Sequence, residues 1–597
     1  MKKGNVNDIS IIFIIKKIYK HIDQKSIKRL YLFVISSIIC GFLEVINLFS
    51  FSLLLNNLSG NNNNLNYISN TLITFISNVV KNDNIQFYVS LIFFLIITLL
   101  TSFARIYNLK LRFGTAASIG NLLSSKAYWL TINQPYSKFL ETNSSDSTIV
   151  LSRYIYETVS VLNGLAAFVS SVMIILSIVI SLFIINTLLT TIIFISLIIS
   201  YYLIFGNQRK NLLNNSSLIE KYSGLQVKNI QETFGSIKDI ILYGTEEIEY
   251  KNYKNIDQKM RYAESRNFFL ASSPRVVMEA IALSLMSLIV LFLFTSGINE
   301  SKLITLVGSF ALGAQRMLPA FNMIYSSLAN IKGNAFSLFK VIKYLEKNNK
   351  VSSFSIKTVE PLFLENSITL KDASFSYFSN PEKNIIENLN LEIKKGENIG
   401  IVGSTGSGKS TLLNILMTLL EPTNGSLLID GIDINENITK LKAWRKNIAH
   451  IPQLVYLSDA SIRENITFQT KDKVNQDLLD EVCEAALLDK FINNLPFGLD
   501  TYAGERGIRF SGGQLQRLAI ARALYKNGNV YIFDEATSSL DLKTEAKIIS
   551  NFDKIPKKKT IITVAHRLDT LRNCDYWILL REGSVQKINN FNDLYNL

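Results

Sequence analysis

The sequence is poor in the residues that metals and cross-links require. Its three cysteines, Cys40, Cys483 and Cys574, lie far apart and in no metal-binding spacing, so neither a disulfide framework nor a zinc site is implied. Histidine is as scarce, with three in the chain, and His21 and His450 belong to no ligand cluster. A cleavable leader is not expected, because Lys16, Lys17, Lys20, Lys28 and Arg29 precede the first long apolar run. Residues 1–25 leave room for a cytoplasmic elbow segment but not for a domain. Charge is missing from whole stretches. Between Leu30 and Leu55 only Glu44 is charged, and Thr158 to Gln208 carries no charge at all. Runs of that length exclude an ordinary soluble protein.

What is present fits a membrane protein. Hydrophobic residues make up 48% of the chain and the formal charge is +14. Such a basic balance suits nucleic acid or the anionic inner face of a membrane. The apolar runs favour the membrane, with no nucleic-acid partner. The first span runs from Leu30 to Leu55 and the second from Phe87 to Ala104, ending at Arg105, Lys110 and Arg112. Two more fill Thr158 to Gln208, with a turn near Asn186. The fifth is Phe268 to Thr295, and the sixth runs from Leu303 to about Tyr325 and on toward Leu345. Between spans, Ile68, Leu72, Phe75, Ile76 and Val79 suggest a surface helix over 67–80 on the outer leaflet. Gln134-Pro135-Tyr136 reads as a turn, and residues 209–267 as charged helix interrupted at Gly235 and Gly244. Basic flanks place both termini in the cytoplasm.

Beyond residue 351 the chain changes to short apolar runs, glycine turns and amphipathic helices. Gly403-Ser404-Thr405-Gly406-Ser407-Gly408-Lys409-Ser410-Thr411 fits the phosphate-binding loop, with a short apolar run before it and a helical pattern behind. Its glycines let backbone N–H groups turn inward onto phosphate oxygens at a helix N-terminus. Lys409 would reach the β- and γ-phosphates of ATP, and the Ser410 hydroxyl would ligate Mg²⁺. Val530 to Phe533 reads as a strand ending in two acids. Asp534 would join the metal shell and Glu535 would act as general base on the attacking water.

Between these lies Ser511-Gly512-Gly513-Gln514. With it, residues 363–597 resemble the nucleotide-binding domain of ATP-binding cassette (ABC) proteins, Phe510 standing where the signature usually begins with Leu. The resemblance implies further roles, residue by residue. Tyr377 would stack on adenine, and Gln453 would link the metal site to the membrane domain. Ser511 to Gln514 would contact the γ-phosphate of ATP held by a partner, and Asp541 lies in the loop that crosses the dimer. His566 would sense the γ-phosphate. Tyr502 to Gly507 resembles the stretch that contacts intracellular helices in exporters. One chain then looks like half of a homodimeric transporter. Intact Glu535 and His566 disfavour an ATP-gated channel or regulator, and six spans exclude a soluble DNA-repair ATPase.

The expected architecture is a membrane α-helical domain of six transmembrane helices of the ABC exporter type, residues 26–345. A linker at 346–362 would join it to a cytoplasmic α/β P-loop nucleotide-binding domain with a helical subdomain, residues 363–597. The chain would sit in the inner, cytoplasmic membrane. Four looser stretches, starting at Gly41, Gly235, Ser273 and Gly313, resemble the PglK-type flippases for lipid-linked oligosaccharides. A lipid-linked substrate is the implied partner, with a drug or simple lipid as the alternative cargo. Ionisable residues within spans default to function. At about 1.5 Å per residue, Arg316 falls about 20 Å and Arg105 and Arg275 about 30 Å below the outer ends of their spans. They are candidates for an anionic headgroup. The competing reading is that Arg105 and Arg275 snorkel and Arg316 pairs with Glu44 or Glu279.

Overall fold

The computed structural model describes residues 17, 19–58, 83–296, 300–347, 359–468, 473–537, 539–552, 559–565, 567–581 and 583–596. The outer helix expected at 67–80, most of the elbow and linker, and His566 lie outside them. The chain divides into two compact units, Met1–Gln134 with Thr142–Phe354, and Pro135–Glu141 with Ser355–Leu597.

In the first unit the apolar runs are parts of longer helices. They are α1 (Gln24–Leu58) and α2 (Asp83–Ile132). The short α3 (Tyr136–Glu141), after the Pro135 turn, belongs to the second unit. Then come α4 (Ser144–Ile149), a π-helical turn at Val150–Tyr154, α5 (Ile155–Ile185), α6 (Thr187–Gly235), α7 (Ile237–Tyr243) and α8 (Glu246–Thr295). The unit closes with α9 (Glu300–Gly333) and α10 (Ala335–Lys347). Six helical stretches among the described residues are long and apolar enough to cross a membrane.

The breaks have local causes. Asn186 leaves the helix at φ −155° and its side chain accepts from the Leu189 N–H, capping α6. Gly244 ends α7 in the left-handed conformation at φ 62°. α1 packs between α2 and α5, α9 lies on α5, and α8 on α6. Gly41 permits the α1–α5 approach, since a Cβ there would meet the Ser177 hydroxyl oxygen at 2.5 Å. Leu48, Ile178, Leu182, Phe310 and Met317 form the core of this bundle.

The second unit holds two sheets. β1 (Ser367–Phe375) and β2 (Ile386–Lys394) join β4 (Asn424–Ile429) and β5 (Ile432–Asp433) in an antiparallel sheet. The other, in the order β10-β9-β3-β8-β7-β6, is parallel from β9 to β6. Its strands are β3 (Asn398–Val402), β6 (Ile448–Ile451), β7 (Val530–Asp534), β8 (Thr560–Val564), β9 (Tyr576–Arg581) and β10 (Ser584–Ile588). Strands buried on both faces explain the unbroken apolar runs read in the sequence. α11 (Lys409–Leu416) and α12 (Ile438–Asn447) pack on this core. A helical layer follows: α13 (Ile462–Thr467), α14 (Gln476–Ala485), α15 (Asp489–Asn493) and α16 (Gly512–Lys526), with its own cluster around Leu479, Leu488 and Ile520. α17 (Leu542–Phe552) follows β7.

His450, on β6, is half-buried, and its Nε2 is buried and unpaired among the described residues. Burial and nearby Lys526 pull its pKa from 6.5 down to about 4. The unfolded chain therefore binds the extra proton first. This contribution is complete above pH 6.5 and is lost as pH falls toward 4. The loss is on the order of 3 kcal/mol. His450→Gln is expected to flatten the pH dependence of thermal unfolding over that window. An unchanged slope in the variant would assign the acid sensitivity to other groups.

Candidate functional site

The phosphate loop joins β3 to α11. Gly403, Gly406 and Gly408 carry φ of 156°, 85° and 105°. A Cβ at Gly403 would lie 2.4 Å from the Leu580 carbonyl oxygen, so no larger residue fits there. The buried Lys409 ammonium donates to the carbonyls of Gly403 at 2.7 Å and Ser404 at 2.9 Å. Burial lowers its pKa, while Glu535 and Asp534 oppose that shift. The buried Ser407 hydroxyl has no hydrogen-bond partner among the described residues. Ser410, at the start of α11, is exposed, and Thr405 lies in the exposed tip of the loop. Tyr377 shares a hydrogen bond with the Thr411 hydroxyl at 3.1 Å and stands edge-on to Phe375. The sequence-predicted aromatic thus lies against the loop.

The two acids end β7, two strands from β3. Burial, then the neighbouring Glu535, raises the Asp534 pKa, and Lys409 opposes them. Glu535 has a left-handed backbone, φ 51°, held by its N–H donating to the Val564 carbonyl at 2.9 Å. The Gln453 amide donates to the Glu535 carboxylate. Lys409, Asp534, Glu535 and Gln453 therefore share one electrostatic neighbourhood. The oxygen donors Ser410, Gln453 and Asp534 suit a hard cation such as Mg²⁺. The unpartnered Ser407 hydroxyl and the inward ammonium suit a phosphate chain.

Ser511 caps α16 through a reciprocal pair: its N–H donates to Gln514 Oε1 at 2.8 Å and the Gln514 N–H donates back to its hydroxyl. Gly512 and Gly513 pass close to Ser539, where a Cβ on Gly512 would lie 3.4 Å from the Ser539 side chain. Asp541 accepts from the Thr544 N–H at 3.0 Å and hydroxyl at 2.7 Å, which holds its pKa below the usual carboxylate range. One residue here was not singled out from the sequence. Gln516 is buried, and its Oε1 accepts from the Ser539 N–H at 2.9 Å, tying the signature helix to the loop before Asp541. Its signal was a polar side chain one turn before Ile520 on the apolar face.

Residues 386–538 match the family model described as ABC transporter. The chain is 31% identical over 373 residues to the ATP-dependent lipid A-core flippase of Vibrio vulnificus, covering 60% of this chain and 62% of that one. The chain thus spans somewhat under two thirds of that relative. It is 30% identical over 365 residues to multidrug resistance protein pgp-1 of Caenorhabditis elegans, covering 60% of this chain and 27% of that one. A solved bacterial Atm1-family ABC exporter with ATP bound superposes with a TM-score of 0.77 at 21% identity, covering 96% and 97% of the two chains. Residues 386–538 are thus an ABC transporter domain. The fold of the chain is that of an ABC exporter half, a multi-pass membrane protein with an ATP-binding domain.

In the first unit, a cavity of about 470 Å³ is lined by Arg105, Arg112, Arg316, Asn108, Ser170 and Gln315, among others. Arg105 forms an ion pair with Glu44, which is 2% exposed. Arg316 makes no ion pair among the described residues and so pairs with neither Glu44 nor Glu279. Arg275 does not line this cavity: it is exposed on α8 and ion-pairs with Glu279 at 2.8 Å. Arg112 takes the third place instead. The sequence shows Arg112 as a cationic flank of span two. Its helical spacing from Arg105 and Asn108 on α2 is the signal that sets it on the cavity face.

Proposed function

We propose that two copies of this chain form an ATP-driven exporter of the flippase type in the inner membrane, with nucleotide domains and termini cytoplasmic. Its cargo is an amphipathic lipid-linked molecule, a lipid-linked oligosaccharide first among candidates, moved from the cytoplasmic to the outer face. Arg105, Arg316 and, on an exposed face, Arg275 are the cations offered to an anionic headgroup. The observation that carries this reading is the arginine-lined cavity, because charge in a membrane bundle is costly unless it has work.

The nucleotide chemistry follows from the loop and the two acids. Lys409 would leave the Gly403 and Ser404 carbonyls for the β- and γ-phosphate oxygens, while loop N–H groups hold the same chain. Tyr377 would offer its ring to adenine. Glu535 would orient the attacking water and receive its proton, with Gln453 fixing the carboxylate. Mg²⁺ bound with the nucleotide would neutralise phosphate charge, held by Ser410, Gln453 and Asp534. Ser511 to Gln514 of the other copy would close the site, with Asp541 at the dimer crossing and His566 at the γ-phosphate.

The reading is tested in sealed vesicles with labelled lipid-linked oligosaccharide, a plain phospholipid and a hydrophobic drug. ATP-dependent movement of the oligosaccharide lipid in preference to the other two is the expected result. Movement of drug or phospholipid alone would replace it with the multidrug or simple-lipid reading, which the 30% identity to a multidrug resistance protein makes a real alternative.

A further inference from the structure

Glu545 is 5% exposed, in the first turn of α17. Ile548, one turn on, is buried as well, so the carboxylate stands on the inward face that an amphipathic helix fills with apolar side chains. A buried carboxylate is costly unless it is paired. Both of its oxygens are engaged. Oε2 accepts from Nη1 of Arg567 at 3.3 Å, and Oε1 accepts from the Thr570 hydroxyl at 2.9 Å. Arg567 directly follows His566 in the chain, and Thr570 lies in the short helical turn Leu568–Leu571 just beyond. The other side of the same turn is held too. The Val564 carbonyl, at the end of β8, accepts from the Glu535 N–H at 2.9 Å. In the chain, His566 therefore comes between an anchor on Glu535 and an anchor on Glu545.

Packing does not fix this turn. A cavity of about 60 Å³ adjoins it, lined by Ala565, Thr570, Thr537, Ile548 and Cys574, among others. That is more room than a single water needs, where protein interiors are ordinarily close-packed. With a cavity at its back, the turn is held on that side by two polar contacts from one carboxylate. We propose that Glu545 is a positioning residue for ATP hydrolysis, which clasps the turn through Arg567 and Thr570 and so sets the place of His566 relative to Glu535. This rests on the γ-phosphate role given to His566 above and adds the residue that holds the histidine there. Glu545 touches neither nucleotide nor water in this scheme and acts through the turn alone.

The test is steady-state ATP hydrolysis by the full-length protein in nanodiscs, with thermal unfolding measured beside it. Glu545→Gln keeps the size of the side chain and can still accept from Thr570, but it loses the charge that holds Arg567. It should lower kcat roughly 10- to 100-fold, as a small misplacement of a reacting group does, while the KM for ATP changes by less than about threefold. Arg567→Gln should do the same. Arg567 is half exposed, so its variant spares the fold and carries the test even where Glu545→Gln does not fold. The double variant should be no slower than the slower single one, because the two residues act through one pair. Added to His566→Ala, Glu545→Gln should cost nothing further. Wild-type kcat in both Glu545→Gln and Arg567→Gln, with His566→Ala slow, would overturn the assignment. So would a lowered unfolding temperature with kcat intact, which marks an acid that only stabilises its helix. A further fall of about tenfold on adding Glu545→Gln to His566→Ala would show the carboxylate acting by another route and overturn it as well. Full turnover in His566→Ala itself would remove the histidine role on which the inference rests, and it is read without any change at Glu545.

Discussion

Glu535→Gln is expected to bind ATP as the wild type does while its turnover falls by about 100-fold or more, the usual range for losing a general base. The amide keeps the shape of the side chain and can still meet Gln453, but it cannot accept the water proton. Nucleotide should then persist in the protein and hold two copies together. Phosphate release and nucleotide retention are measured on the purified protein. Release at the wild-type rate would remove Glu535 from the base role and turn attention to Asp534, whose raised pKa makes it the neighbouring proton acceptor.

The second large effect concerns where the signature acts. Homodimers of Ser511→Arg or of Lys409→Ala should each be inactive, since every site carries one lesion. When the two chains are mixed, a head-to-tail dimer places both lesions in one site and none in the other. ATP hydrolysis should then rise above that of either parent. Cross-linking that joins Ser511 to Lys409 within a single chain would refute this arrangement. Ser511 and Gln514 are suited to act outward, because their mutual cap satisfies the first turn of α16 and leaves the helix N-terminus presented.

Much of the architecture was legible because the chain states it locally. The turn at Asn186 and the helix breaks near Gly235 and Gly244 appear where the residues signal them. The phosphate loop was legible for the same reason, since only glycine fits at Gly403. What the sequence could not show is which side of a long helix faces a cavity. Arg105 and Arg275 have similar calculated depths, yet one lines the chamber and the other is exposed and satisfied by Glu279 four residues on. Rotation of a helix about its axis is fixed by its neighbours, and α2 is turned by its packing on α1. Arg112 was hidden in the same way, since a cation just past a span reads as a lipid-facing flank. The π-helical turn at Val150–Tyr154 has no local sequence mark at all.

The backbone at Glu535 separates what folding favours from what chemistry needs. At φ 51° a β-carbon crowds the following carbonyl, costing about 1–2 kcal/mol that glycine or asparagine would largely avoid. The residue proposed as the base is thus one of the poorer choices for the shape it occupies. A library screened for yield or heat resistance alone would drift toward glycine or asparagine at this position and collect inert protein. Selection must therefore include hydrolysis at every round, or the most robust clones recovered will be the dead ones.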